Sequence, residues 1–313
     1  MADLPAESAH KRPRVVALVG PTGVGKTAAA IDLALVINAE IISADSRYLY
    51  RGLDIGTAKP SAAERARVPH HLIDVTTPDQ PWTLAEFQHA AYAAIDAIFQ
   101  RGRIPVLVGG TGQYVRAVTD GWQVPPVGPA GPLRAELERV LAEEGVEALA
   151  DRLRQVDPES ATVIDTRNPR RVIRAIEVAV TMGQSFVSQR QKTAPSFVTR
   201  WLGLWRPRPE LYARIDNRIE GMLAAGLVAE VQGLVAQGYG WELPAMSAVG
   251  YRQIGAYLRG EWSLDDAIIG IKRSTRQFVR RQANWFKLTD PAIHWVRASA
   301  EAAGQMADWL AGQ

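Results

Sequence analysis

Eight consecutive residues near the start of the chain could do phosphate chemistry. Gly20-Pro21-Thr22-Gly23-Val24-Gly25-Lys26-Thr27 has the spacing of a phosphate-binding loop. Its glycines allow successive backbone N–H groups to point inward, and a helix starting at the loop adds partial positive charge. Lys26 brings a mobile cation for terminal phosphate oxygens. Thr27 brings a hydroxyl for Mg²⁺, which prefers oxygen ligands and usually keeps waters. The loop does not say which phosphate it holds. A nucleoside triphosphate is the generic expectation, and any pyrophosphate ester fits the same cradle.

Two further residues are placed to act beside it. Asp45 ends the apolar run 40–44, where a carboxylate can hold Mg²⁺ through water or serve as a general base. The plain alternative is a turn or capping aspartate. Thr111 follows the apolar run 104–108 inside Gly109-Gly110-Thr111-Gly112, a turn that exposes its hydroxyl; the alternative is a cap for the next helix. His70-His71 suggests metal only superficially, because neighbouring side chains on an extended segment point to opposite faces.

These residues need a scaffold that brings strand ends together. Residues 14–19 read as a strand, 27–37 as an Ala-rich helix, 40–44 and 71–75 as strands, and 104–108 as another. Thr83-Leu84-Ala85-Glu86 is a capping box opening a helix to about residue 99. Uninterrupted apolar strands alternating with helices predict an α/β fold with a parallel sheet covered on both faces. After the Pro/Gly-rich link 123–132 the pattern is helical to about residue 181, and a second link spans 193–196. A strand at 198–204 resumes the core, followed by helices at about 209–237, 247–258 and 263–287, a strand at 293–296 and a final helix. The expected division is therefore a core of 12–121 and 197–313 with a helical insertion, 122–196.

The composition is that of an ordinary globular protein: 313 residues, 47% hydrophobic and 22% charged. No apolar run reaches the length of a membrane helix. Met1–Pro5 lacks the basic and apolar segments of a signal peptide, so cytoplasm is the expected location and no membrane is an expected partner. With no cysteine, disulfides, thiolate catalysis and cysteine-ligated zinc are excluded. Net charge is only +3, but the cations cluster. Arg167, Arg170, Arg171 and Arg174 share one face if a helix extends that far, although Pro169 suits a first turn and would leave Arg167 outside. Lys272, Arg273, Arg276, Arg280, Arg281 and Lys287 form a second run with no acidic residue between them, opposite a stripe of Ile271, Phe278 and Trp285. Such faces suit a polyanion.

Several blocks together resemble one family. The phosphate loop, Ala44-Asp45-Ser46, the stretch from Tyr50 to Pro60, Gly109-Gly110-Thr111-Gly112, Asn168 to Glu177, Val249-Gly250-Tyr251-Arg252 and the run from Thr275 to Trp285 are similar to the tRNA dimethylallyltransferases of bacteria. The likeness spans roughly 14–290, and the block from Tyr50 to Pro60 is far more specific than the loop. The resemblance implies a P-loop NTPase-like parallel sheet with a helical insertion domain and a helical C-terminal part. It implies transfer of a dimethylallyl group from its diphosphate to N6 of the adenosine just 3′ of the anticodon, tRNA position 37, with the target base flipped out.

Roles follow residue by residue. Asp45 is implied as the base that takes a proton from N6, and Thr111 as the partner that positions the substrate near the reacting carbon. Gly20, Pro21, Thr22, Gly23, Val24, Gly25, Lys26 and Thr27 hold the diphosphate, Thr27 with Mg²⁺ as the one implied cofactor, and Arg218 adds charge. Asp45, Ser46, Arg47, Tyr48, Thr111, Arg134, Arg170, Arg171, Val172, Ile173, Arg174, Ser247, Gly250, Tyr251, Arg252, Arg280, Arg281, Gln282 and Trp285 fall in stretches that correspond to tRNA contacts. A monomer acting on the anticodon stem-loop is expected. Two positions depart from the usual pattern: Tyr48 stands where glutamine is common, and Gln113 where an apolar residue is usual. From the residues alone, a small-molecule kinase or ATPase and an RNA-binding module with a vestigial loop are the competing readings.

Overall fold

The computed structural model describes residues 12–125, 128, 131–188 and 191–313, so the opening segment Met1–Pro5 and part of the first link, 123–132, lie outside the described residues. In chain order the elements are β1 (Arg14–Val19), α1 (Lys26–Val36), β2 (Ala39–Ser43), α2 (Ala62–Arg67), β3 (His70–His71), α3 (Leu84–Gln100), β4 (Ile104–Gly109) and α4 (Gly112–Thr119). Next come α5 (Gly131–Glu144), α6 (Val146–Val156), α7 (Pro158–Val163) and α8 (Pro169–Met182). Then follow β5 (Val198–Trp205), α9 (Arg208–Ala224), α10 (Leu227–Ala236), a 3₁₀ turn (Ala245–Ser247), α11 (Tyr251–Leu258), α12 (Leu264–Trp285), β6 (Ile293–Arg297) and α13 (Ala302–Ala311).

The six strands form one sheet in the order β3-β2-β4-β1-β5-β6, every pair parallel. Val15 to Val19 are all buried, as continuous apolar strands under helices on both faces must be. The chain divides into two compact units. One comprises the described residues to Trp82, Phe87–Thr119 and Pro195–Gln313; the other is Asp120–Ala194 with Thr83–Glu86, against the expected 122–196. The second unit has its own core of Leu137, Leu149, Leu153, Val172, Ile173 and Ile176.

Local chemistry explains where elements stop. Thr83 and Glu86 form the reciprocal hydrogen bonds of the expected capping box. The strand expected at 71–75 ends at His71, because Leu72 and Asp74 take left-handed backbone, which no strand tolerates. The helix expected at 209–237 is two helices broken at Gly226, with φ of 101°. That expected at 247–258 is the 3₁₀ turn and α11, parted at Gly250. Asn168 caps α8 and Pro169 takes its first position, so Arg167 stands outside the helix.

Candidate active site

The sheet order places the chemistry. β4 lies between β2 and β1, so at the carboxyl edge the turn after β4 stands between the phosphate loop and Asp45. Ala44 N–H donates to the Val108 carbonyl at 2.8 Å, which ties the segment leading to Asp45 onto β4. The Asp45 side chain accepts from the Arg47 N–H at 2.9 Å, which orients the carboxylate. Gly25, at φ 110°, makes the left-handed step that lets α1 begin at Lys26 with its N-terminus facing the loop.

Positive charge collects here. Lys26 Nζ donates to the carbonyls of Gly20 and Pro21 at 3.0 and 2.9 Å. Loss of water lowers its ammonium to about 8; Asp45 opposes that shift and Arg218 adds to it. Arg218 on α9 donates to the Thr57 carbonyl at 3.2 Å. Arg214, one turn earlier, donates to the Gly23 carbonyl, and Arg206 to that of Val24. Sequence reading missed Arg206 and Arg214 as loop supports; the i, i+4 spacing of Arg214 and Arg218 was the available signal. The Tyr48 hydroxyl donates to the Ala58 carbonyl at 2.8 Å and interacts with Thr27 and Arg218. Burial first, and then Asp45, push its pKa up. Beside Thr27 and Tyr48 opens a small, mostly apolar pocket with walls from Ala30, Ile41, Pro60 and Val108.

The block from Tyr50 to Pro60 is scaffold rather than chemistry. Lys59, almost fully buried, bonds the Tyr50 carbonyl, Asp54 and Asp74. The Glu230 carboxylate accepts from the N–H groups of Asp54, Ile55 and Gly56 at 3.1, 2.7 and 3.1 Å and from the Tyr251 hydroxyl. Glu230 was invisible in the sequence, because its partners are backbone amides 175 residues away.

The stretches expected to touch RNA divide into surface and interior. Arg47 donates to the Pro244 carbonyl at 2.6 Å and to Ser247 Oγ at 3.2 Å, which brings the stretches 45–48 and 247–252 together. Ser46 is half-buried there, while Arg252, Arg280 and Arg281 are exposed. Five expectations need correction. The Tyr251 side chain is fully buried against Glu230. Gln282 is buried and bonds the loop itself. Val172 and Ile173 are core residues of the second unit, since they lie on the inner face of α8. Arg134 is held by two hydrogen bonds to buried Glu177, at 2.9 and 2.8 Å. On α12 the buried stripe is Ala267, Ile271, Val279 and Gln282, so Trp285 is not a core residue but is 42% exposed. In the second unit Arg170 and Arg171 are exposed and Arg174 is half-buried near Glu177. Along α12 a basic groove is lined by Tyr212, Ile269, Lys272, Arg273, Arg276 and Arg280. His70 bonds the Val68 carbonyl and His71 bonds Glu40, so the two rings face different partners.

A parallel sheet with a phosphate loop on its central strand, and a carboxylate and a hydroxyl on adjoining strand ends, defines a P-loop enzyme acting on a phosphate ester. The chain belongs to the IPP transferase family, whose model matches residues 48–289; an isopentenyl transferase model matches residues 13–75. A tRNA dimethylallyltransferase of Chloroflexus aurantiacus is 54% identical over 273 residues, covering 87% of this chain and 92% of that protein. One from Herpetosiphon aurantiacus is 48% identical, covering 96% and 95%. The crystal structure of a Bacillus halodurans tRNA isopentenylpyrophosphate transferase is 37% identical with a TM-score of 0.71, covering 96% of both chains. A eukaryotic dimethylallyltransferase acting on tRNA is 27% identical with a TM-score of 0.78, covering 96% of this chain and 80% of its own.

Proposed function

We propose that this chain transfers a dimethylallyl group from dimethylallyl diphosphate to N6 of the adenosine at tRNA position 37, releasing diphosphate. Family membership supports the reaction, and the observation that carries its assignment to this site is the meeting of the phosphate loop, Thr111 and Asp45 on three adjoining strand ends. N6 attacks the allylic carbon; the bond from that carbon to the diphosphate oxygen breaks, and its electron pair leaves with the diphosphate. Asp45 takes the N6 proton, and the Thr111 hydroxyl positions the acceptor. Lys26, Arg218 and the loop amides hold the developing negative charge of the leaving diphosphate. The apolar wall beside Thr27 suits a hydrocarbon chain.

The Thr27 hydroxyl at the start of α1 fits Mg²⁺, and no group of three or more acidic or histidine side chains competes for a metal among the described residues. When bound, the ion would neutralise diphosphate charge. Arg47, Ser247, Arg252, Arg280 and Arg281 supply an RNA-facing surface on the first unit, and Arg170 and Arg171 on the second. In this reading the enzyme works as a monomer in the cytoplasm.

The test is incubation with labelled dimethylallyl diphosphate, Mg²⁺ and a tRNA with adenosine at position 37. Label enters that base with the wild type. With Asp45→Asn, which keeps the acceptor for the Arg47 N–H, the rate falls by ~10³-fold while tRNA affinity stays within about threefold. Absence of label alongside tRNA-independent ATP turnover would return the chain to the kinase reading.

A further inference from the structure

We propose that Gln282 is a positioning residue: its carboxamide sets the distance between the diphosphate loop and the Thr111 hydroxyl. The inference rests on the reaction assigned above.

Gln282 sits on the inner face of α12 and is 5% exposed. Its Oε1 accepts from the Thr22 N–H at 2.8 Å, and its Nε2 donates to the Gly110 carbonyl at 3.1 Å. One rigid planar group thus bridges the loop after β1 and the turn after β4. The two arms have opposite polarity, an acceptor for an N–H and a donor for a carbonyl, and a carboxamide satisfies both. An ionised glutamate of the same shape serves only the first.

The same helix fixes the other flank of Thr111. Trp285, one turn further along α12, lies against Gly112. A Cβ built on Gly112 would collide with its ring, and one built on Gly110 would collide with Gln282 Nε2. Neither glycine is needed for a left-handed backbone, since neither has positive φ. Both are small because α12 presses on them. Thr111 therefore stands between two residues that are each backed by one side chain of the same helix. The Thr22 N–H is spent on this brace, so within the loop Thr22 links to α12 rather than offering its amide to the diphosphate.

A brace of this kind acts on the transition state. The leaving oxygen is held by the loop and the acceptor by Thr111, so letting them drift apart misaligns the attack; a misplacement of about 1 Å costs on the order of 10²-fold in rate. Gln282→Glu keeps the Thr22 arm and loses the Gly110 arm. It should leave KM for dimethylallyl diphosphate within about twofold and lower kcat by roughly 10- to 100-fold. Affinity for tRNA should stay within about twofold, since the side chain is buried.

A second pair of variants reads the contact without depending on that substitution. Gly110→Ala alone pushes against Gln282 and should lower kcat by at least about tenfold. In a Gln282→Ala background the collision with the carboxamide is gone, and the next atom the methyl meets is the Gly20 carbonyl at 3.2 Å, a tight contact that a shift of a few tenths of an ångström relieves. There Gly110→Ala should cost less than about twofold further, the non-additivity expected of groups in contact. The proposal is overturned if Gln282→Glu keeps wild-type kcat, or if Gly110→Ala costs the same in both backgrounds. Loss of tRNA affinity at unchanged kcat would instead make Gln282 a direct RNA contact. A wild-type enzyme that labels no tRNA would refute the reaction, which separates that failure from failure of the brace.

Discussion

At the amino end of the sheet, Glu40 on β2 is buried to 2% exposure and surrounded by cations. Arg101 donates to it twice, at 2.9 and 2.7 Å, with His71 at 2.7 Å and Arg103 at 3.5 Å. At the carboxyl end, Lys26, Arg214 and Arg218 are held by backbone carbonyls, and Arg206 by a carbonyl and by Glu210 at 3.8 Å. Glu40 is lowered to about 2, first by the Arg101 hydrogen bonds, and Lys26 to about 8, first by loss of water. The two shifts have one direction and opposite meanings. For the carboxyl group a lowered value means the fold favours its charge; for the ammonium it means the fold resists it. Charge at one end is spent on the protein itself. At the other it is left under-neutralised, ready for an anion, at some cost to folding.

Removing Lys26 gives the largest effect and could break this contrast. Lys26→Met should lower kcat/KM by ~10³-fold, because a cation aimed at the leaving diphosphate is lost. It should also raise the melting temperature. The folded value lies below the unfolded one, so the cost of the charged form is fully present below about pH 8 and is relieved as pH rises from 8 towards 10.5. At pH 7 that cost is roughly 1–3 kcal/mol. In the wild type, affinity for pyrophosphate should fall as pH rises through about 8, a limb that calorimetry would detect and Lys26→Arg would remove. A variant that melts lower while keeping its rate would show that Lys26 is structural.

Glu40 predicts the reverse pattern. Glu40→Gln should cost about 2 kcal/mol of stability at pH 7 and leave kcat unchanged. The folded value lies below the unfolded 4.5, so this stabilisation is complete above about pH 5 and is lost as pH falls from 4.5 towards 2. Denaturant melts of both proteins should therefore differ most at pH 7, and the gap should shrink steadily as pH falls from 4.5 towards 2. A gap that persists in acid would place the effect in packing rather than in the carboxylate.

How far each feature could be read in advance follows from the range of the interaction that makes it. The loop, Asp45 and Thr111 stand at strand ends, and strand ends follow from local hydrophobic runs, so their meeting was legible. So was the capping box at Thr83, which closes within four residues. The sheet order was not legible, because nothing local places β4 between β2 and β1. Gln282 and Glu230 were misread or missed for the same reason: their partners are backbone groups 172 to 260 and 174 to 176 residues away. The arginine run of α8 was over-read. Val172 and Ile173 lie between arginines in sequence, but a helix turns about 100° per residue and carries them to the inner face.

That last case carries the smallest prediction, and it extends the contrast in charge to the second unit. Arg134 and Arg170 lie in the same unit and differ as Glu40's partners differ from Lys26. Arg134 is committed to the fully buried Glu177, so its removal should destabilise the unit by leaving a buried carboxylate poorly compensated. Arg170 and Arg171 are exposed on the first turn of α8, a turn whose cap and first proline do not depend on them. Replacing both with alanine should leave the melting temperature unchanged and weaken tRNA binding by about tenfold at 0.1 M salt. The slope of log affinity against log salt should fall by about 1.5, as expected for two lost phosphate contacts. The turnover rate at saturating tRNA should hold, because neither residue belongs to the reacting strand ends. An unchanged salt slope would mean that the exposed face of α8 is solvated surface, and that uncompensated charge marks a site only where the backbone has been shaped to hold it.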